Sequence, residues 1–154
     1  MNRRYLLFCF LSFNIIVCSS QTTYTGDPQE GTYNNCPTSD ISSSCPSGTF
    51  LGNVIRFKLH DVTSTNFVFR AKKCAGGTFS YGGTGYVKEN VVCGAVLGND
   101  NINVGDTYST VSIPIPTGFI SGTKTYIFTL NSDNGQKFHG GSVTVTASSP
   151  PPFL

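Results

Sequence analysis

The chain has 154 residues, with 10 Lys and Arg against 8 Asp and Glu, 17 glycines, 12 phenylalanines and no tryptophan. A length of this order suits a single domain. A charge so close to neutral argues against an electrostatic footprint for nucleic acid or for an anionic membrane surface.

Residues 1–20 read as a secretory signal peptide: Arg3 and Arg4 precede an uncharged run rich in Leu, Phe, Ile and Val, and Ser19 and Ser20 provide a small-residue exit. The apolar run is short for a bilayer span; the rival readings are an uncleaved anchor and a bacterial lipoprotein, the second of which would need a small residue where Val17 precedes Cys18. Removing 1–20 leaves eight cations against eight acids, and no later stretch is apolar enough to cross a membrane. The expected localisation is secreted or extracellular. Four cysteines follow, Cys36, Cys45, Cys74 and Cys93, an even number that in an exported chain points to two disulfides. Three pairings are open; the favoured one is the sequence-local Cys36–Cys45 with Cys74–Cys93, because each bridge closes a short turn-rich loop. No Asn-X-Ser/Thr sequon follows residue 20, so N-glycosylation is not expected.

Residues 21–48 hold one aliphatic side chain, Ile41, amid Thr, Ser, Asn, Pro and Gly. They are expected to form a poorly ordered N-terminal arm that buries too little to offset its ordering entropy, with a small disulfide loop in it. Strict alternation then begins. Ile55, Phe57 and Leu59 share one face, with Arg56, Lys58 and His60 on the other, which predicts a strand over 51–61. A second strand over 66–73, carrying Phe67, Phe69 and Ala71, should pair with it as a hairpin. Between Cys74 and Cys93 the glycine-rich sequence suggests two short strands, 78–81 and 85–88. Residues 94–105 read as a loop, and 106–114 as a strand that ends at Pro114 and Pro116 or lies at a sheet edge, because proline cannot donate to a ladder. Residues 122–147 form the best-defined hairpin: Tyr126, Phe128 and Leu130 answer Val143, Val145 and Ala147 across a turn at Asn134-Gly135, a dipeptide suited to type I′. A Pro-rich tail, 149–154, ends the chain.

About seven short strands and no helical periodicity predict an all-β fold: an antiparallel β-sandwich spanning 49–148. The segment 122–130, GTKTYIFTL, resembles the penultimate strand of immunoglobulin-like and fibronectin-type-III-like domains, and 141–147, GSVTVTA, resembles their closing strand. That resemblance implies an Ig-like sandwich and supplies no binding residues.

Candidate chemistry is sparse. His60 and His139 lack metal spacing and read as surface or turn residues. Serines lack a nucleophile elbow, and the cysteines are taken up by bridges. Residues 98–106, GNDNINVGD, are rich in oxygen donors, but an EF-hand count from Asn99 puts Val104 where glycine belongs and Thr110 where a glutamate belongs. No catalytic residue, cofactor or metal is therefore assigned. Phe79, Tyr81 and Tyr86 are the candidate binding residues, since tyrosines among small neighbours suit protein or sugar contacts. The expected function is an extracellular binding or adhesion module without catalysis, acting on an unidentified protein or glycan. The alternative is a non-catalytic accessory or spacer domain of a larger extracellular enzyme or surface protein, carbohydrate binding being one such role.

Overall fold

The computed structural model describes residues 22–27, 43–74 and 80–149; residues 1–20, read above as a signal peptide, Cys36, Phe79 and the tail beyond Ser149 lie outside the described residues. Nine strands occur among them: β1 (Thr23–Asp27), β2 (Ser43–Cys45), β3 (Gly48–Val62), β4 (Asn66–Lys73), β5 (Tyr81–Glu89), β6 (Val96–Val104), β7 (Ser109–Pro114), β8 (Gly122–Ser132) and β9 (Lys137–Ser148). The all-β class is as expected. Seven of the strands follow one path, β6-β5-β8-β9-β3-β4-β7, with β1 added to β9 and β2 to β3.

Alternation places the core. Phe57 on β3, Phe69 on β4 and Tyr126 and Phe128 on β8 turn inward and are fully buried. Their rings are contiguous, stacked between Phe57 and Phe69 (centroids 5.0 Å apart) and between Phe57 and Phe128 (5.6 Å), and tilted between Phe69 and Tyr126 (5.3 Å). Truncating any of these rings to alanine removes about 3–5 kcal/mol. Leu59 contributes from a partly buried position, because a bulge after it breaks the β3–β4 register.

β3 and β9 run parallel, with Leu51 opposite Phe138 and Ile55 opposite Gly140. The sheet is therefore mixed where antiparallel pairing throughout was expected. The path also nearly closes into a barrel. A Cβ on Gly98 of β6 would lie 2.3 Å from Ile113 Cγ2 of β7, and the Ser109 hydroxyl of β7 donates to the Asn103 carbonyl of β6. The curvature has a local cause in β9, where the Gly140-Gly141 pair stands opposite Phe128 and the β8–β9 register slips by one residue. Such a bulge bends a strand and raises its twist.

Four further expectations are corrected. The arm over 21–48 is ordered at both ends: β1 pairs antiparallel with β9 from Thr23–Ser148 to Asp27–Thr144, and Tyr24 reaches the core ring of Phe67 at 5.0 Å. Backbone pairing, available to any polar segment, supplies what side-chain hydrophobicity did not. Residues 94–105 are largely strand β6, whose asparagines face out while Ile102 and Val104 face in. The two short strands of the glycine-rich stretch resolve as the single strand β5 within the described residues. At the β8–β9 turn, Gly135 takes the left-handed backbone (φ 83°) and Asn134 does not. Gly135 N donates to the Ser132 carbonyl at 2.9 Å, the pattern of a type I turn closed by a left-handed glycine in place of type I′.

The disulfide pairing is also corrected. Cys45 is bonded to Cys93 with Cα atoms 5.5 Å apart, which excludes both sequence-local bridges; Cys74 is disulfide-bonded as well. Proximity across the folded sheet overrides proximity along the chain.

Candidate binding surface

β5 decides which predicted residues can act together. Tyr81 and Tyr86 are five positions apart on one strand, so they project to opposite faces. Tyr81 turns inward, its ring 4.6 Å from that of Phe138. It is a packing residue. Tyr86 turns outward and is half-buried. The registers set it across from Asn99 on β6 and Thr129 on β8, and Thr129 is in turn across from His139 on β9. Asn99, Tyr86, Thr129 and His139 thus form a row over four adjacent strands, spaced by one interstrand step of about 4.8 Å. A second row runs Asn101, Thr84, Asn131 and Lys137, in which the Thr84 hydroxyl donates to Asn101 Oδ1 at 3.1 Å.

This outer face is polar, and it is closed over part of its area. Thr129 is fully buried although it points away from the core, and its Oγ1, like Asn131 Oδ1, has no hydrogen-bond partner. The cover includes the start of β3. Phe50 is 2% exposed and stands outside the main core cluster. Its ring lies 4.7 Å from Lys88 Nζ and 5.6 Å from Lys137 Nζ. Lys88 Nζ also donates to the Val92 carbonyl at 2.8 Å, and Lys137 Nζ to that of Ser47. Burial, and then the charge of Lys137, hold the Lys88 amine below the usual lysine range. The Cys45–Cys93 bridge ties this β2–β3 strap to the β5–β6 loop. Sequence reading missed Phe50, which sits before the alternating run, and it took the i, i+2, i+4 spacing of Asn99, Asn101 and Asn103 for an Asn- and Asp-rich turn where the chain forms the outward face of strand β6.

The remaining candidates stay apart. On β6, Asn99, Asn101 and Asn103 lie on an extended strand with about 6.6 Å between successive members, a geometry that cannot wrap a cation as a calcium loop does. His60 is about five residues along β3 from the level at which Gly140, the neighbour of His139, meets Ile55, roughly 16 Å of strand. Among the described residues no three or more His, Cys, Asp or Glu gather in metal-binding geometry, and no helix is long and apolar enough to cross a membrane. A cavity of about 330 Å³ opens at the far end of β9, lined by Tyr24, Val62, Thr63, Ser64 and Ile115. Its polar groups are hydroxyls and backbone, and it holds no acid–base pair.

The fold and this surface define an all-β domain with a strapped, polar sheet face. No protein-family model matches the chain, and no curated protein or solved structure matches it either.

Proposed function

We propose that the chain is an exported, non-catalytic binding module of immunoglobulin-like type, and that it makes contact through the outer face of β6-β5-β8-β9 around Tyr86. The immunoglobulin-like reading is supported by the strand order. If β3 to β9 are taken as strands A, B, C, C′, E, F and G, then β3-β4-β7 gives A-B-E and β9-β8-β5-β6 gives G-F-C-C′, the two sheets of such sandwiches. On this reading β3 belongs to both sheets: it pairs antiparallel with β4 and parallel with β9, which joins them into one near-barrel path.

The observation that carries the binding reading is Tyr86, half-buried and outward, set directly across from the exposed Asn99, an aromatic ring set among amides on the part of the face that lies beyond the covered Thr129. Aromatic side chains flanked by adaptable polar groups suit protein and sugar surfaces. A carbohydrate ligand, with the chain as an accessory domain, is the second reading. It is favoured by the exposed amides of Asn99, Asn101 and Asn103 beside Tyr86, which offer donors and acceptors to sugar hydroxyls. Tyr86→Ala and Tyr81→Ala separate contact from packing. Tyr86→Ala is expected to abolish binding on a glycan array or to extracellular partners with little change in melting temperature. Tyr81→Ala, which strips a ring from Phe138, is expected to cost about 3 kcal/mol of stability. Unchanged binding by Tyr86→Ala would overturn the assignment of this face.

A further inference from the structure

The ring of Phe50 covers polar groups that it cannot satisfy. On β8, Ile127 stands across from Lys88 of β5 and Asn131 stands across from Lys137 of β9, so Thr129 lies midway between the two lysines. Phe50 is buried and approaches both ammonium groups; a ring that meets both therefore sits over Thr129. Thr129 Oγ1 and Asn131 Oδ1 have no hydrogen-bond partner, and burial desolvates the Lys88 amine, whose one bond runs to the Val92 carbonyl. A phenyl ring offers neither oxygen a hydrogen-bond donor. Leaving such atoms buried and unpaired is costly, and the cost is removed whenever the ring moves away.

The strap that carries Phe50 is hinged at one end and latched at the other. β2 and the start of β3 pair with each other from Ser43–Phe50 to Cys45–Gly48, which closes the strap on itself. Among the described residues, its ties to the sheet before Leu51 are the Phe50 ring, the bond from Lys137 Nζ to the Ser47 carbonyl and the Cys45–Cys93 bridge. Residues 43–52 carry no charged side chain. Where the strap joins the sheet, β3 advances four residues, from Leu51 to Ile55, while β9 advances two, from Phe138 to Gly140. Such irregular pairing suits a hinge. At the latch, Cys93 is exposed and Cys45 half-buried, so a thiol reaches the bridge from the Cys93 side; exposed disulfides are the labile, regulatory kind.

We propose that the strap is a thiol-released cover: reduction of Cys45–Cys93 lets it swing off the outer face, and Thr129, Asn131 and Lys88 then join Tyr86 in contact with a carbohydrate. The reductant is a dithiol of the oxidoreductase class. One of its thiolates attacks Cys93 Sγ, the bond to Cys45 breaks, and Cys45 leaves as a thiolate that takes up a proton. The second thiol of the reductant then displaces Cys93, which is protonated in turn, and closes the reductant's own disulfide. Two electrons and two protons pass to the protein. The use of the opened face rests on the carbohydrate reading above; the motion of the strap does not.

Chymotrypsin, which cuts after accessible phenylalanine, reads the motion, because Phe50 is buried while the strap is shut. It is applied to the secreted chain, oxidised or reduced with dithiothreitol and capped with iodoacetamide, and to Cys45→Ser/Cys93→Ser, in which Cys74 keeps its own bridge. Cutting after Phe50, located by mass spectrometry, is expected to rise about tenfold or more in the reduced chain and in the double variant, since cutting tracks the open population. Adding Thr129→Val to the double variant removes an oxygen that opening hydrates and should slow the cutting about tenfold, the size of one unpaired polar atom. On the glycan array the double variant should bind about tenfold tighter than the bridged chain, the size of one added charge-assisted hydrogen bond. Equal cutting of bridged and unbridged chains, no effect of Thr129→Val, or cuts at the core rings of Phe57 and Phe128 as well, which mark global unfolding, would each overturn the cover. Faster cutting with equal glycan binding would overturn its control of the face, and faster cutting with no glycan binding by either form would overturn the carbohydrate reading on which that control rests.

Discussion

Tyr126 shows how one atom can work against the element that places it. Alternation along β8 sends its ring into the core, where it contacts Phe67 and Phe69. The side chain is fully buried, and its hydroxyl has no hydrogen-bond partner. Burial, with smaller contributions from the charge of Glu89 and from Tyr24, pushes its pKa up to about 12. A raised folded-state value means that the unfolded chain releases this proton first. Its contribution to stability is therefore complete below pH 10, the ordinary tyrosine value, and declines as pH climbs toward about 12. Tyr126→Phe keeps the ring and removes the orphaned hydroxyl. It is expected to be neutral or to stabilise by about 1 kcal/mol at neutral pH. Wild type should then lose about 2 kcal/mol more than the variant between pH 10 and 12. Paired urea titrations at both pH values measure this difference, and parallel losses in the two proteins would refute it. Tyr86, on the opposite face of the neighbouring strand, shows the converse arrangement: alternation spares its side chain from packing and leaves it for contact.

At the level of elements, the β2–β3 strap is the least expected feature. It is held by Phe50 between two ammonium groups and by a bridge spanning 48 residues of sequence. Closing a loop of that length stabilises by about 4 kcal/mol in the chain-entropy account, and measured values commonly fall near 2–4 kcal/mol. The double variant Cys45→Ser/Cys93→Ser is expected to lose stability in that range. Amides of residues 43–52 should also exchange faster than those of β8 and β9, because the strap opens locally before the core does. Unchanged exchange in the strap would mean that Phe50 alone holds it. The sequence shows why some elements were legible and others were not. β4 was predicted with its observed bounds because Phe67, Phe69 and Ala71 alternate without interruption, and the β8–β9 hairpin was legible from the alternation of Tyr126, Phe128 and Leu130 with Val143, Val145 and Ala147, although β9 starts four residues before the 141–147 segment and runs on to Ser148. β6 was read as a loop because asparagine, aspartate and glycine are depleted in strands. There the preference is overridden by backbone pairing with β5 from Tyr81–Val104 to Lys88–Val96. Likewise β1 carries few apolar residues and owes its order to the open edge of β9.

On the scale of the whole molecule, β9 is the organising strand. β8 lies along one of its edges, while the other is shared by β3 near its start and β1 near its end. β8 is its hairpin neighbour, whereas β3 and β1 come from distant parts of the chain. Local periodicity states which side of a strand is apolar and says nothing about which distant strand will lie beside it, so both the parallel β3–β9 contact and the cross-sheet disulfide were beyond its reach. The candidate row was hidden for the same reason, since its members come from four strands. The shared edge gives β1 a protective role. A chain beginning at Pro28 loses the Tyr24 ring contacts with Phe67 and Phe119, at 5.0 and 5.8 Å, and the bond from its hydroxyl to the Phe119 carbonyl at 3.0 Å. It also uncovers the backbone of β9 over Thr144 to Ser148. The lost ring is half-buried and worth less than the about 3–5 kcal/mol of a fully buried one, and an open edge is a template for pairing with another chain. Compared with a chain beginning at Gln21, the shortened protein is expected to melt earlier and to associate as its concentration rises, which thermal melts and light scattering measure together. A shortened chain that stays monomeric and melts at the same temperature would show that β9 needs no cover and that β1 is an ornament of the sheet.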